Sequence, residues 1–99
     1  MENKKITVLA RMKAKQGMEE KVKQELLSLA GPTRAEAGCI NYDLHQSTEN
    51  RCFFMLYENW VSKKVLEEHM GMPYLKAFMK KTKEVLAEPA EITLWEGIS

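Results

Sequence analysis

The order in which two hydrophobic periodicities follow one another most restricts what this chain can fold into. Residues 5–13, 40–44 and 92–96 alternate apolar and polar side chains, and residues 52–60 are rich in β-prone types, so four strands are predicted. Residues 18–37 and 63–88 instead repeat apolar side chains every three or four positions, which is typical of amphipathic helices. The predicted order is β-α-β-β-α-β, because the second helical region lies between the third and fourth strands.

The first helix is expected to extend up to Gly38 and to carry one apolar face. Pro32 lies within it and is expected to kink the helix, because proline removes a backbone donor. The residues of the apolar face are Met18, Val22, Leu26, Leu29, Thr33 and Ala37.

The second helical region is expected to divide at residues 71–73. Ser62 is a suitable N-cap for a short helix over residues 63–70, which Gly71 would close in a left-handed conformation. Pro73 suits the first turn of a further helix, and Pro89 ends it.

This order of elements predicts the ferredoxin-like fold, an α+β class in which helices cover one face of a four-stranded antiparallel sheet. The 99 residues of the chain are expected to form a single domain, 1–99, with a thin core. The third strand carries apolar residues on both sides, with Phe53, Met55 and Tyr57 alternating with Phe54, Leu56 and Trp60. We therefore expect the second sheet face to pack against another copy of the chain, giving a homodimer.

Charge and hydropathy exclude several classes of partner. Fifteen basic and fourteen acidic side chains give a net charge of +1, which does not favour nucleic acid or anionic membranes as partners. No apolar run is long enough to span a membrane, and the first residues lack the apolar stretch of a signal peptide, so a cytoplasmic location is expected.

Cys39 and Cys52 would lie at opposite ends of the hairpin formed by the second and third strands and are expected to be free thiols.

Nucleotide, serine-nucleophile and zinc motifs are not present in the sequence. It contains no P-loop, GxGxxG, GxSxG or HExxH motif and no clustered Cys and His residues. From the residues alone, the expected functional feature is a small-molecule pocket between the helices and the sheet.

Three segments in order resemble the antibiotic biosynthesis monooxygenase (ABM) domain family, and the resemblance covers nearly the whole chain. They are PTRAEAGCINYDLHQS at 32–47, FMLYENW at 54–60 and HMGMPYLKAF at 69–78. The resemblance implies a dimeric α/β barrel. It also implies oxygenation of a phenolic or hydroquinone-like substrate by O₂ without flavin, haem or metal, so no cofactor is expected.

The resemblance also assigns candidate site residues. His69 corresponds to the family's pocket histidine and is the candidate base, since histidine titrates near neutral pH. His45 matches a histidine on a strand of some family oxygenases and is the second catalytic candidate. The expected lining residues are Trp60, Tyr74, Phe78, Leu56 and Leu66, of which the last two replace an asparagine and a tyrosine of some polyketide oxygenases.

The neighbours of Trp60 are interpreted from strand parity. Glu58 shares its face, which leaves two interpretations, a buried carboxylate with a raised pKa or a structural acceptor for helix donors, of which the structural role is preferred. Asn59 faces the opposite side. Some haem-degrading relatives in the family that the chain resembles need an asparagine on the first strand, and residues 8–12 contain none, so the resemblance does not imply haem cleavage.

Two other functions remain open at this level. Some relatives act on small phosphorylated hydroxyketones by enolisation or isomerisation, and the cations available here for a phosphate are Arg34, Arg51 and Lys63. The other alternative is a dimer that binds a small molecule without catalysis.

Overall fold

The computed structural model describes residues 4–99 and contains the elements in the predicted order. Residues 1–3 belong to the segment in which no signal peptide was expected, and they lie outside the described residues. The strands are β1 (Ile6–Lys13), β2 (Cys39–Gln46), β3 (Phe53–Trp60) and β4 (Glu91–Trp95), and the helices are α1 (Glu19–Arg34), α2 (Lys63–Met70) and α3 (Pro73–Val85).

The four strands form one antiparallel sheet in the order β2-β3-β1-β4. This order confirms the ferredoxin-like fold. The buried side chains of β1 and β3 pack with those of α1 and α3 in one core, so the helices cover one sheet face. No helix within residues 4–99 is both long and apolar enough to cross a membrane.

A bulge in β2 changes which of its residues face the helices. Cys39 pairs with Trp60 and Asn41 pairs with Asn59, so Ile40 is an extra residue between them. Ile40 is 52% exposed for this reason. The sequence pattern had predicted that Ile40 and Tyr42, two positions apart, lie on the same face of the strand. The bulge brings Cys39 to the helix side, beside Trp60.

Two helix ends differ from the sequence-based expectation. Helix α1 ends at Arg34, and residues 35–38 form a turn in which the Glu36 amide donates to the Thr33 carbonyl, so Ala37 lies outside the helix. Gly71 closes α2 at φ −92°, not in the left-handed region, because its amide and that of Met72 still bond carbonyls of the last helical turn. The Ser62 cap is confirmed, since its side chain accepts from the Val65 amide.

The second sheet face is not covered by any element within residues 4–99. Phe53, Tyr57 and Trp95 are each at least 40% exposed there. Asn59 lies on the same face, as strand parity predicts, but is only 4% exposed. Its amide is satisfied by a hydrogen bond from Thr7 Oγ1 at 2.6 Å and one to Asn41 Oδ1 at 2.9 Å.

Candidate functional site

A cavity of about 340 Å³ lies between the helix-covered sheet face and helices α2 and α3. Its walls are mostly apolar, and it is open where the edge strand β4 faces α2 and α3. Ile92 and Leu94 on β4 are 40% and 47% exposed, and Met70 and Met79 on the helices are 41% and 38% exposed. This size and lining are typical of sites for small organic ligands. Four of the residues predicted for the site line the cavity, namely His69, Leu56, Leu66 and Phe78.

His69 occupies the last turn of α2 and is held by a carboxylate from a different part of the chain. Its Nδ1 lies 2.8 Å from Glu36 Oε2, in the turn that follows α1. A carboxylate oxygen accepts, so Nδ1 carries a proton, and in the neutral form of the ring Nε2 keeps its lone pair. Nε2 makes no hydrogen bond to the residues that the structure describes, and the His69 side chain is 3% exposed at the cavity wall. The arrangement presents the unbonded Nε2 at the wall of an apolar cavity.

Trp60 and Tyr74 contact this pair from outside the cavity. The Trp60 ring packs against the His69 ring with centroids 4.5 Å apart, and Trp60 is fully buried. The Tyr74 hydroxyl donates a hydrogen bond to the same Glu36 oxygen that accepts from His69. Neither side chain is part of the cavity lining. They were expected as pocket walls, and the structure places them where they fix the orientation of His69 and Glu36.

Gly38 permits the close approach that brings Glu36 to His69. A Cβ atom at Gly38 would lie 2.6 Å from Val65 Cγ2 and 2.7 Å from Val65 Cβ, both of which belong to α2. The Gly38 carbonyl also accepts from the Val61 amide just before the helix. Any larger residue would push α2 away from the turn that carries Glu36.

Two further polar side chains, Glu58 and Tyr42, line the interior of the cavity. They are directly opposite each other on β3 and β2 and are 5% and 2% exposed. Glu58 Oε1 accepts from Trp60 Nε1 at 3.0 Å, as expected from their shared face. Burial raises the pKa of Glu58, although the Trp60 hydrogen bond and His69 act against it. Burial and the neighbouring Glu58 raise the pKa of Tyr42, so its hydroxyl stays neutral.

The structure does not bring His45 to this site. It is exposed on the second sheet face, in a separate surface cleft with Arg11 and Phe53. It points to the other side of the sheet because β2 alternates and Tyr42 faces the helices.

The three cations considered for a phosphate group are also dispersed. Only Lys63 lines the cavity. Arg34 donates to the Tyr42 carbonyl, and Arg51 lies in a different cleft beside Cys52. Among the described residues, no three His, Cys, Asp or Glu side chains are grouped so as to hold a metal ion.

Sequence reasoning did not identify Glu36 and Tyr42 as site residues and assigned Glu58 a structural role. Glu36 lies in a turn 33 residues before His69, so only the tertiary fold shows that the two side chains meet. The glycine two positions after Glu36 is the one local signal of a close approach at this turn.

The fold and cavity define a ferredoxin-like domain with an apolar pocket between helices and sheet, and the comparisons with known proteins identify its family. The model of the antibiotic biosynthesis monooxygenase family matches residues 5–81. The chain belongs to this family.

Individual relatives and solved structures agree with this assignment. Putative monooxygenase Rv0793 from Mycobacterium tuberculosis is 30% identical over 89 residues, which are 90% of this chain and 87% of that protein. Protein sll1783 from Synechocystis is 32% identical over 78 residues, 75% of this chain, and the chain spans about half (53%) of its length. The crystal structure of PA3566 from Pseudomonas aeruginosa is 30% identical, covers 98% of this chain and 97% of its own, and superposes with a TM-score of 0.91. The family and relatives support a monooxygenase-like function in general terms.

Proposed function

We propose that the chain is a cofactor-independent monooxygenase that oxygenates a small phenolic or hydroquinone-like substrate with O₂. The observation that carries the proposal is the hydrogen bond between Glu36 and His69 Nδ1, which leaves Nε2 as a base at the wall of an apolar cavity. His69 would remove the proton of a substrate hydroxyl there.

The reaction balances without an external reductant. Deprotonation makes the ring of a quinol electron-rich enough to pass an electron to O₂. One oxygen atom enters the ring and the other leaves as water, so a quinol and O₂ give a hydroxylated quinone and water. All four electrons come from the substrate. The protein therefore has to bind, deprotonate and enclose the quinol.

The positions of Glu36 and Tyr74 support the role of His69. A carboxylate on Nδ1 stabilises the imidazolium that forms when Nε2 takes a proton. The Trp60 ring, whose centroid lies 4.5 Å from that of His69, restricts the rotation of the imidazole. These residues are positioning residues, because they act through His69.

Oxygen uptake by purified, metal-stripped protein tests the proposal. A panel of hydroquinones and dihydroxynaphthalenes is compared for wild type, His69→Ala and the control Glu68→Gln, which changes an exposed neighbour on α2. We expect uptake above autoxidation with at least one compound. His69→Ala should lower the rate roughly 100- to 10,000-fold, and Glu68→Gln should retain it.

Equal rates for wild type and His69→Ala, or no uptake with any compound, would refute the proposal. Binding without uptake would support the ligand-binding alternative instead. The enolisation alternative would be supported by binding and turnover of a phosphorylated hydroxyketone.

We also propose that the protein is a homodimer through the second sheet face. The exposed Phe53, Tyr57 and Trp95 on this face support the proposal, since burying aromatic side chains against a second copy would remove them from water. A sedimentation mass of 11.4 kDa, that of one chain, would contradict it.

A further inference from the structure

Glu58 is a buried carboxyl group whose second oxygen has no partner. It is 5% exposed and lines the cavity, and only Oε1 is used, by Trp60 Nε1. Oε2 makes no hydrogen bond within the described part of the chain, and Glu58 forms no ion pair there. Among the described residues, Thr33 Oγ1 is the one fully buried side-chain oxygen or nitrogen without a partner, so Glu58 Oε2 is open to the cavity, where a ligand can supply its donor.

The groups around Glu58 do not supply that donor. Tyr42 faces it from β2 and His69 from α2, and Glu36 lies near it on the turn after α1. Lys63 and Glu67 on α2 also line the cavity, where both are exposed. None of these side chains forms a hydrogen bond to Glu58 in the described residues.

We propose that Glu58 is a second group that contacts the substrate. This inference rests on the proposed function. The free oxygen Oε2 of Glu58 accepts a hydrogen bond from a second hydroxyl of the ligand, away from the hydroxyl that meets His69. Two polar contacts in an otherwise apolar cavity fix a planar ring in one orientation. The cavity therefore selects aromatic diols over aromatic compounds with a single free hydroxyl.

A pair of probes isolates this contact. 1,4-Dihydroxynaphthalene has two donor hydroxyls, whereas 4-methoxy-1-naphthol keeps the ring system and both oxygens but has only one donor. Affinities are measured by titration calorimetry in the absence of oxygen, at the same pH for both probes. We expect wild type to bind the diol about 10- to 100-fold more tightly than its methyl ether.

Glu58→Gln provides the matched variant because Trp60 fixes how the new amide points. The indole N–H can only donate, so the amide oxygen stays on Trp60 and the NH₂ group takes the place of Oε2. That NH₂ cannot accept from a hydroxyl but can donate to an ether oxygen. The diol preference should therefore fall to about equal affinities or reverse. Glu68→Gln, which changes an exposed carboxylate on α2 outside the cavity lining, should leave the preference unchanged.

Equal wild-type affinities for the two probes would overturn the inference without any variant, so it does not depend on whether Glu58→Gln folds. A diol preference that persists in Glu58→Gln would also overturn it. The binding assay needs no turnover, and His69→Ala should keep the diol preference. Failure of the proposed reaction is therefore distinguishable from failure of this contact.

Discussion

Glu36 Oε2 lies 2.8 Å from His69 Nδ1 although the two residues are 33 positions apart in the chain. The contact joins the turn after α1 to the end of α2, on either side of the β2–β3 hairpin. It determines which ring nitrogen of the histidine is available at the cavity.

Removal of the carboxylate should change the tautomer of His69. In wild type we expect the proton on Nδ1, and in Glu36→Ala we expect a mixture with the Nε2–H form, because no acceptor then holds Nδ1–H. Nitrogen-15 NMR measures this directly, and the exposed His45 provides an internal reference. The oxygen-uptake rate should fall about 10- to 100-fold.

Tyr74→Phe is the matched comparison for that experiment, since it removes the other donor to the same oxygen and keeps Glu36. The Nδ1–H tautomer should persist in this variant. Its loss would show that Glu36 alone does not set the tautomer.

Gly38→Ala should destabilise the protein by about 1 to 3 kcal/mol, because the added methyl group overlaps Val65. We expect a lower midpoint in urea unfolding and weaker ordering of His69 by Glu36. Gly31→Ala is the control, since a Cβ there meets no atom within 4 Å. Similar stabilities for Gly38→Ala and the control would contradict the close approach.

The stability of Glu58→Gln relative to wild type should increase with pH. Burial raises the pKa of Glu58 above its ordinary value of 4.5, so the folded state holds this proton more tightly than the unfolded state. The stabilisation is complete below pH 4.5 and is lost as the pH rises through the folded-state pKa. Glutamine has no such proton to lose.

Urea unfolding across this pH range measures the effect. The difference in unfolding free energy between the two proteins should change by about 1.4 kcal/mol for each pH unit between the folded and unfolded pKa values. A difference that does not vary with pH would show that Glu58 titrates normally in the folded protein.

Tyr57→Lys should convert the proposed dimer to monomers. Tyr57 is 41% exposed on the second sheet face and lies directly opposite Asp43, so a lysine there gains an oppositely charged neighbour within its own sheet. In a dimer the same lysine would bury a charge at the interface. Sedimentation should give half the wild-type mass with unchanged circular dichroism. Lys64→Ala on α2, outside that face, should remain dimeric.

The elements and the helix-facing side of β3 are predictable from the sequence, because hydrophobic period and strand parity are local properties. Parity alone placed Glu58 beside Trp60 and Asn59 on the other face, and the structure confirms both. The Ile40 bulge is not predictable in this way, since one extra residue reverses parity without changing composition.

The site is less predictable because its contacts join distant segments. His69 was identified through the family resemblance, but its partner Glu36 lies in a turn whose distance from α2 depends on the packing of Gly38 against Val65. Similarly, an aromatic residue beside a pocket histidine can line the cavity or support the ring from outside. Only the packing distinguishes these positions for Trp60 and Tyr74.

The opening of the cavity at β4 has a consequence for the kinetics of ligand entry. This strand has five residues, lies at the edge of the sheet and pairs only with β1, whereas a central strand is hydrogen-bonded on both sides. Its local unfolding requires less free energy than opening the central strands. Amide hydrogen exchange in β4 and the rate of ligand association would then report the same event, and a bound ligand would slow that exchange.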